Sequence, residues 1–405
     1  MTTPQRDYWN FYSAGRIVFG SGSIRRLGQF IQPWHAKRAL IVTDKALVKA
    51  GVVASVLAPL QAAGLTVDVF DGGEPEPSFA IADQAITFGK NARPDLLLGV
   101  GGGSNMDLAK VVATVLTHGG ACRDFTGFGN VPGPVMPLIC VPTTAGTGSE
   151  VSHAAVLTDT ETQMKLSILS HYIRPALALV DPQLTLSCPP RATADSGIDA
   201  LTHAIEGMTA TRYNELNVPA DEPFPYDGQQ PIADCMAEKA IELVGKHLVT
   251  AVREPGNLPA REGMALAATL AGLAFSNSAV AAVHALEYPL GGALHCSHGA
   301  GNGLLLPYVM RYNMSLRIPE FGRIARLLGE ETAGLTEEAA AERAITAVER
   351  LRRDVGIPER IRDLGGTEDQ LPTFASKAFA IKRLMLLNAR QPTEADLLEI
   401  LKAAW

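Results

Sequence analysis

Short apolar runs alternate with amphipathic segments through the first half of the chain. The runs RIVFG (16–20), ALIVT (39–43), TVDVF (66–70), LLLGV (96–100) and PLICV (137–141) have strand character. Between them, segments such as 46–63 and 78–92 carry apolar residues at helical spacing. Strand alternating with helix predicts a mostly parallel sheet with helices on both faces. Two further strands, AVLTD (155–159) and KLSIL (165–169), lie close enough to form a hairpin, and LALVD (177–181) closes this part of the chain.

After Pro190 the pattern changes. Strand signals vanish, and segments 192–211, 231–252, 257–281, 335–354 and 394–404 show helix-period apolar positions. The expected architecture is an α/β, Rossmann-like dinucleotide-binding domain over 1–185 and an all-α domain over 186–405. The stretch RYNELNVPADEPFPYDGQQP (212–231) holds four prolines and little periodicity. It reads as a long loop, and long ordered loops inside compact domains are often functional.

Composition narrows the class. A chain of 405 residues exceeds one ordinary core. The net charge of −7 argues against a nucleic-acid partner, which needs a basic surface. Five cysteines, odd in number and without CxxC spacing, point to a reducing compartment with neither a disulfide framework nor a structural zinc. The start, MTTPQRDYWNFYSAG, has no apolar signal core. No uncharged apolar run reaches the ~20 residues of a membrane helix. These features lead to the expectation of a cytoplasmic protein.

Two loops suggest a nucleotide. LLLGVGGGSNMDLAK is a strand, then Gly99, Gly101, Gly102 and Gly103, then Ser104 opening a helix. Glycines let the backbone approach a phosphate, and a helix N-terminus presents unpaired N–H groups and a positive dipole end. The spacing is not GxGxxG, because Ser104 takes the last glycine's place. After another strand, VPTTAGTGSEVS (141–152) places Thr143, Thr144, Thr147 and Ser149 beside two glycines, a polar lining suited to pyrophosphate or ribose. Asp44 ends ALIVTD, where an acidic residue can accept from both ribose hydroxyls and repel a 2′-phosphate, favouring NAD over NADP. The plainer role for such an Asp is a helix cap. Asp107 and Lys165 complete the candidate cofactor-binding set.

Histidines suggest a metal. In SGIDALTHAIEG (196–207), Asp199 and His203 are four apart and share a helix face. Their apolar neighbours imply burial, so the pair needs a partner: each other, or a metal. The stretch VHALEYPLGGALHCSHG (283–299) adds His284, His295 and His298. One Asp and three His make a borderline donor set suited to Fe(II) or Zn(II). Spacing alone does not choose between His295, after a bend expected at Gly291 and Gly292, and His298.

Taken together, Gly101–Lys110 (GGGSxxDxAK), Pro142–Glu150 (PTTxGTGSE), the Asp199/His203 helix and the His284/His298–Gly299 pair resemble the iron-containing (group III) alcohol dehydrogenase family. The likeness runs nearly the whole chain. It implies a nucleotide domain, an all-helical metal domain and an active site in the cleft between them, in a homodimer or higher homo-oligomer. It also implies Asp199, His203, His284 and His298 as the metal ligands, which demotes His295. Three features depart from many members: Tyr288 where a histidine is common, Glu76 where an Asn lies between two prolines, and the longer loop 212–231. All three look like the hydroxyacid-oxoacid transhydrogenase branch, as does FPYDGQQPIAD (224–234).

The function expected is metal-dependent hydride transfer between NAD(H) and a small alcohol/aldehyde or hydroxyacid/oxoacid. A divalent metal lowers the pKa of the alcohol oxygen, and Tyr288, one helical turn beyond His284, is the candidate proton relay, with ring packing as its plainer role. The alternatives are a transhydrogenase holding its nucleotide, a maleylacetate reductase-like enzyme, and a lyase of dehydroquinate synthase-like architecture. A non-enzymatic nucleotide-binding module would leave the clustered Asp and His residues without a task.

Overall fold

The computed structural model describes residues 6–161, 164–219 and 222–405. Residues 1–5, 162–163 and 220–221 lie outside them, the last two within the 212–231 stretch singled out in the sequence. Two compact units emerge: Tyr12–Cys188, and Pro189–Trp405 together with residues 6–11.

The first unit contains strands β1 (Ile17–Phe19), β2 (Arg38–Val42), β3 (Thr66–Phe70), β4 (Leu96–Gly101), β5 (Gly127–Phe128), β6 (Leu138–Pro142), β7 (Ala154–Asp159), β8 (Met164–Leu169) and β9 (Leu177–Val180). Its helices are α1 (Leu27–Phe30), α2 (Lys45–Lys49), α3 (Val52–Ala62), α4 (Phe79–Ala92) and α5 (Gly103–His118). Six strands form one parallel sheet in the order β1-β9-β6-β4-β2-β3. Leu40, Val42 and Leu97 face one core, with Met106, Val112 and Leu138, while Ile41, Leu98 and Ile139 face the other, with Val56 and Leu60. Burial on both faces explains why these strands read as continuous apolar runs.

β7 and β8 pair antiparallel, with Ala155 opposite Ile168, and the two-residue β5, absent from the sequence reading, adds parallel to β8. The single helix expected over 46–63 is two, because Gly51 takes a left-handed φ of 77° between α2 and α3. The sheet order reverses between β2 and β4: the chain passes from β2 outward to β3, then returns to β4 on the other side. Ligands of open parallel sheets bind outside the strand C-termini at such a switch point.

The second unit is helical. Its first five helices are α6 (Pro190–Thr209), α7 (Pro231–Arg253), α8 (Leu258–Phe275), α9 (Ala282–Leu294) and α10 (His298–Asn313), and further helices continue to Ala403. From Gly197 to Thr209 every residue of α6 is buried, the mark of a central helix. It packs on α7, α8 and α10.

The helix expected over 257–281 stops at Phe275, and the following segment accepts from the long loop: Asp227 and Gly228 donate their N–H groups to the carbonyls of Asn277 and Ser278. Asp227 also accepts from Arg6 Nη1 at 3.0 Å and from Asn10 N at 3.2 Å, tying residues 6–11 to this loop. The bend expected at Gly291 and Gly292 falls later. α9 runs through both glycines and ends at His295, which is exposed with φ 51°. None of the described helices is long and apolar enough to cross a membrane.

Candidate active site

In the sheet unit, the two motif loops leave the C-terminal ends of adjacent strands, β4 and β6, and face each other. A Cβ on Gly103 would meet Thr147 Cγ2 at 2.8 Å, and one on Gly102 would meet Thr144 Oγ1 at 3.4 Å. Gly101, with φ 146°, leaves room for the Asn105 side chain, and Thr143 N donates to the Gly101 carbonyl at 2.9 Å. The unpaired N–H groups of α5 open from this turn.

A buried polar staple holds the loops together. Ser149 Oγ donates to Asp107 Oδ1 at 2.6 Å and accepts from Lys110 Nζ at 2.8 Å. Lys110, fully buried, also donates to Ser152 Oγ and the Ala154 carbonyl, and Val156 N donates to Asp107 Oδ2. Burial raises the Asp107 carboxyl against the lowering effect of Lys110 and Ser149, and burial lowers the Lys110 ammonium against the opposing charge of Asp107. Of the candidate cofactor contacts, Asp107 and Ser149 therefore bond chiefly to one another's frame, while Gly102, Gly103, Thr144 and Thr147 line the opposed turns.

Asp44 does two things at the end of β2. Its Oδ1 accepts from Leu47 N at 2.9 Å as the N-cap of α2, and its Oδ2 accepts from Asn105 Nδ2 at 2.7 Å. The side chain thus sits at the switch point beside the glycine turn. Ser104 Oγ accepts from Glu76 N at 3.2 Å, and the Glu76 carboxylate pairs with the buried Lys165 ammonium at 2.8 Å. Glu76 has a left-handed φ of 54°, unusual for a residue with a side chain.

The second cluster lies within the helical unit. Acceptor atoms of Asp199, His284 and His298 fall within 4.8 Å of one another, a grouping able to hold a metal ion. Asp199 Oδ1 stands 4.0 Å from His284 Nε2 and 3.9 Å from His298 Nε2. His203 joins through His284, with their Nε2 atoms 3.1 Å apart, and its Nδ1 is 3.8 Å from Asp199 Oδ2. Its ring stacks on Phe275. His295 has no place in this group among the described residues.

Local structure explains the convergence. Asp199 and His203 share the inward face of α6, His284 starts α9, and His298 starts α10. α10 approaches α6 closely because Gly299 carries no side chain: a Cβ there would meet the Asp195 carbonyl oxygen at 1.9 Å.

Three residues overlooked in the sequence complete the cluster. Glu206 Oε2 lies 2.5 Å from His284 Nδ1, Glu287 Oε2 lies 2.5 Å from His298 Nδ1, and Asn302 Nδ2 contacts three site atoms. Those are Asp199 Oδ1 at 2.8 Å and the Nε2 atoms of His284 and His298, each at 3.1 Å. Each lies three or four positions after a histidine already singled out: 203, 284 and 298. That helical spacing was the available signal.

The donor set fits a divalent ion. Three acceptor atoms converge on one amide NH2, which has only two protons to offer. Two imidazole Nε2 atoms 3.1 Å apart also require a proton or a cation between them. One carboxylate and three imidazoles suit Fe(II) or Zn(II). Asp199 is 2% exposed, and burial alone would raise its carboxyl. The three imidazoles and the Asn302 amide outweigh burial and hold it below its ordinary value. The His298 side chain, 28% exposed, is the ligand candidate most open to solvent.

A family model described as iron-containing alcohol dehydrogenase matches residues 14–182, and one described as the C-terminal part of the Fe-containing alcohol dehydrogenase family matches residues 220–405. The NAD-dependent methanol dehydrogenase of Bacillus methanolicus is 35% identical over 395 residues, 98% of this chain and 99% of its own length. The 1,3-propanediol dehydrogenase of Klebsiella pneumoniae is 38% identical over 389 residues, 96% of each chain. Among solved structures, a 1,3-propanediol oxidoreductase aligns with a TM-score of 0.92 at 37% identity, covering 98% of this chain and 100% of its own. Sulfoacetaldehyde reductase from Bifidobacterium kashiwanohense, in complex with NAD+, aligns with a TM-score of 0.85 at 30% identity over 98% of both chains.

Proposed function

The chain belongs to the iron-containing alcohol dehydrogenase family, and on that premise we propose that it interconverts a short alcohol and its aldehyde, with Asp199, His203, His284 and His298 holding the divalent ion. It is an NAD-dependent oxidoreductase of the iron-containing class. The observation that carries the ligand assignment is the convergence of Asp199, His284 and His298 acceptor atoms around the Asn302 amide. The substrate class rests on relatives named for methanol, 1,3-propanediol and lactaldehyde.

The chemistry such an ion supplies when bound is Lewis acidity toward an alcohol or carbonyl oxygen, and that of NAD is hydride exchange. The protein's own groups do the rest. Asp199 brings a buried negative charge to three neutral donors. Glu206 accepts the Nδ1 proton of His284, which leaves the Nε2 lone pair facing the cluster. The glycine turn before α5 and the hydroxyls of Thr144 and Thr147 cradle the pyrophosphate, with Asp44 on the adenosine ribose. Gly101, Ser104, Thr143 and Lys165 belong to the same cradle, and Asp107 and Ser149 keep its two loops in register. Tyr288 carries the alcohol proton away. We also propose that it works in the cytoplasm, on the odd number and spacing of its five cysteines, and as a homo-oligomer, on the family resemblance.

The test is metal analysis of the purified protein, with NAD reduction measured on a panel of short alcohols and hydroxyacids. The expected result is about one metal ion per chain and alcohol-dependent NADH formation that a chelator abolishes. Full activity after the metal is stripped, or activity only when an oxoacid is added as acceptor, would overturn this reading.

A further inference from the structure

Glu287 is fully buried on α9, three residues after His284, in a position that a central apolar helix would ordinarily fill with a hydrophobic side chain. Its carboxylate reaches across to α10 and meets His298 Nδ1 at 2.5 Å. Space for that reach is built into the facing helix. Gly301 on α10 lies against the Glu287 side chain, and a Cβ there would come within 2.9 Å of Glu287 Cγ. Glycine inside a helix is unfavourable relative to alanine, so this position gives up helix stability and makes room for a buried acid.

We infer that Glu287 is a positioning residue for metal binding, acting through His298. The inference rests on the ligand assignment proposed above. Accepting the Nδ1 proton fixes the imidazole in the tautomer whose Nε2 lone pair points at Asp199, His284 and Asn302. It also locks the ring of the one ligand that is partly open to solvent. An oriented carboxylate behind a metal histidine makes that imidazole a stronger donor, and loss of such a partner typically costs 10–100-fold in metal affinity. Glu206 gives His284 the same support from α6, so both histidines of the pair fourteen residues apart are backed by a buried acid.

The experiment compares full-length wild type with Glu287→Gln, Glu287→Met and His298→Ala, each stripped and then titrated with Zn2+ against a competing chelator. Metal-free thermal unfolding is recorded in parallel. Methionine fills the space without an acceptor, and glutamine keeps an acceptor without the charge. The expected result is a 10–100-fold weaker Zn2+ affinity for Glu287→Met and partial recovery for Glu287→Gln. A packing role would instead leave both variants with wild-type affinity, and that result overturns the inference while His298→Ala still loses metal. Wild-type affinity in His298→Ala overturns the ligand assignment itself, and the inference with it. If Glu287→Met does not fold, the glutamine variant decides alone: weaker Zn2+ affinity supports the inference, and wild-type affinity overturns the oriented carboxylate it invokes.

Discussion

Glu206 Oε2 lies 2.5 Å from the imidazole Nδ1 of His284, and the two Glu206 oxygens also accept the backbone N–H groups of Ala281 and Val283 on either side of the α9 start, at 2.9 and 2.7 Å. One buried carboxylate on α6 therefore caps α9 and orients the imidazole of His284, one of the four proposed ligands. Negative charge at a helix N-terminus is favourable in itself. Replacing Glu206 with leucine leaves two buried N–H donors and an imidazole unsatisfied, each at about 1–3 kcal/mol. The expected outcome in urea unfolding of the metal-free protein is a loss of roughly 3 kcal/mol or more, alongside weakened metal binding. Unchanged metal-free stability would show that the cap has no energetic role.

Asp44 combines a cap with a charge beside the glycine turn that precedes α5, and the cap and the charge separate by substitution. Asp44→Ser keeps a good N-cap for α2 but removes the negative charge. The folded protein is expected to lose about 1–3 kcal/mol, because the buried Asn105 amide loses its acceptor while the cap is kept. The ratio of kcat/KM for NAD over that for NADP should fall by an order of magnitude or more, because the repulsion of a 2′-phosphate disappears. If the ratio stays put, Asp44 is a helix cap and nothing further.

Asp234, early in α7, accepts from Gln229 of the long loop at 3.2 Å. Burial pushes its carboxyl up to about 7, the Gln229 hydrogen bond opposes this, and Glu238 and Glu320 add to the rise. The folded value lies above the unfolded value of about 3.9. The stabilising contribution of the bound proton is therefore complete below pH 4 and is lost as pH rises through 7. Asp234→Asn imitates the protonated acid at every pH. Its melting temperature should exceed that of wild type at pH 8 and converge with it only below pH 4, at about pH 3.5. An equal gain at both values would mean that the acid is not titrating in this window.

The sheet was legible because strands buried on both faces leave continuous apolar runs, as at Leu96–Gly101. Helix ends were less so: Gly51 breaks α2 from α3 and His295 ends α9 through left-handed backbone, which periodicity does not register. Asp199 and His203 were legible as an i,i+4 pair. The contacts of Glu206, Glu287 and Asn302 cross between helices and depend on how closely α6 and α10 approach. That approach turns on a single missing side chain at Gly299. Spacing could not separate His295 from His298 for the same reason, since the choice is made by the turn at His295 and not by residue counting.

Tyr288 follows Glu287 on α9 and is 8% exposed, with its ring centroid 6.3 Å from that of His298. It therefore borders His298, the most solvent-open of the four proposed ligands. Tyr288→Phe keeps the ring and its packing and deletes only the hydroxyl. If the hydroxyl moves the alcohol proton, kcat and kcat/KM should fall together, by about 10²-fold or more, with metal content unchanged. If it instead holds a substrate carboxylate, KM for hydroxyacids should rise while simple alcohols are unaffected. Wild-type kinetics on both substrate classes would leave Tyr288 as a packing residue and move the proton path to water beside His298.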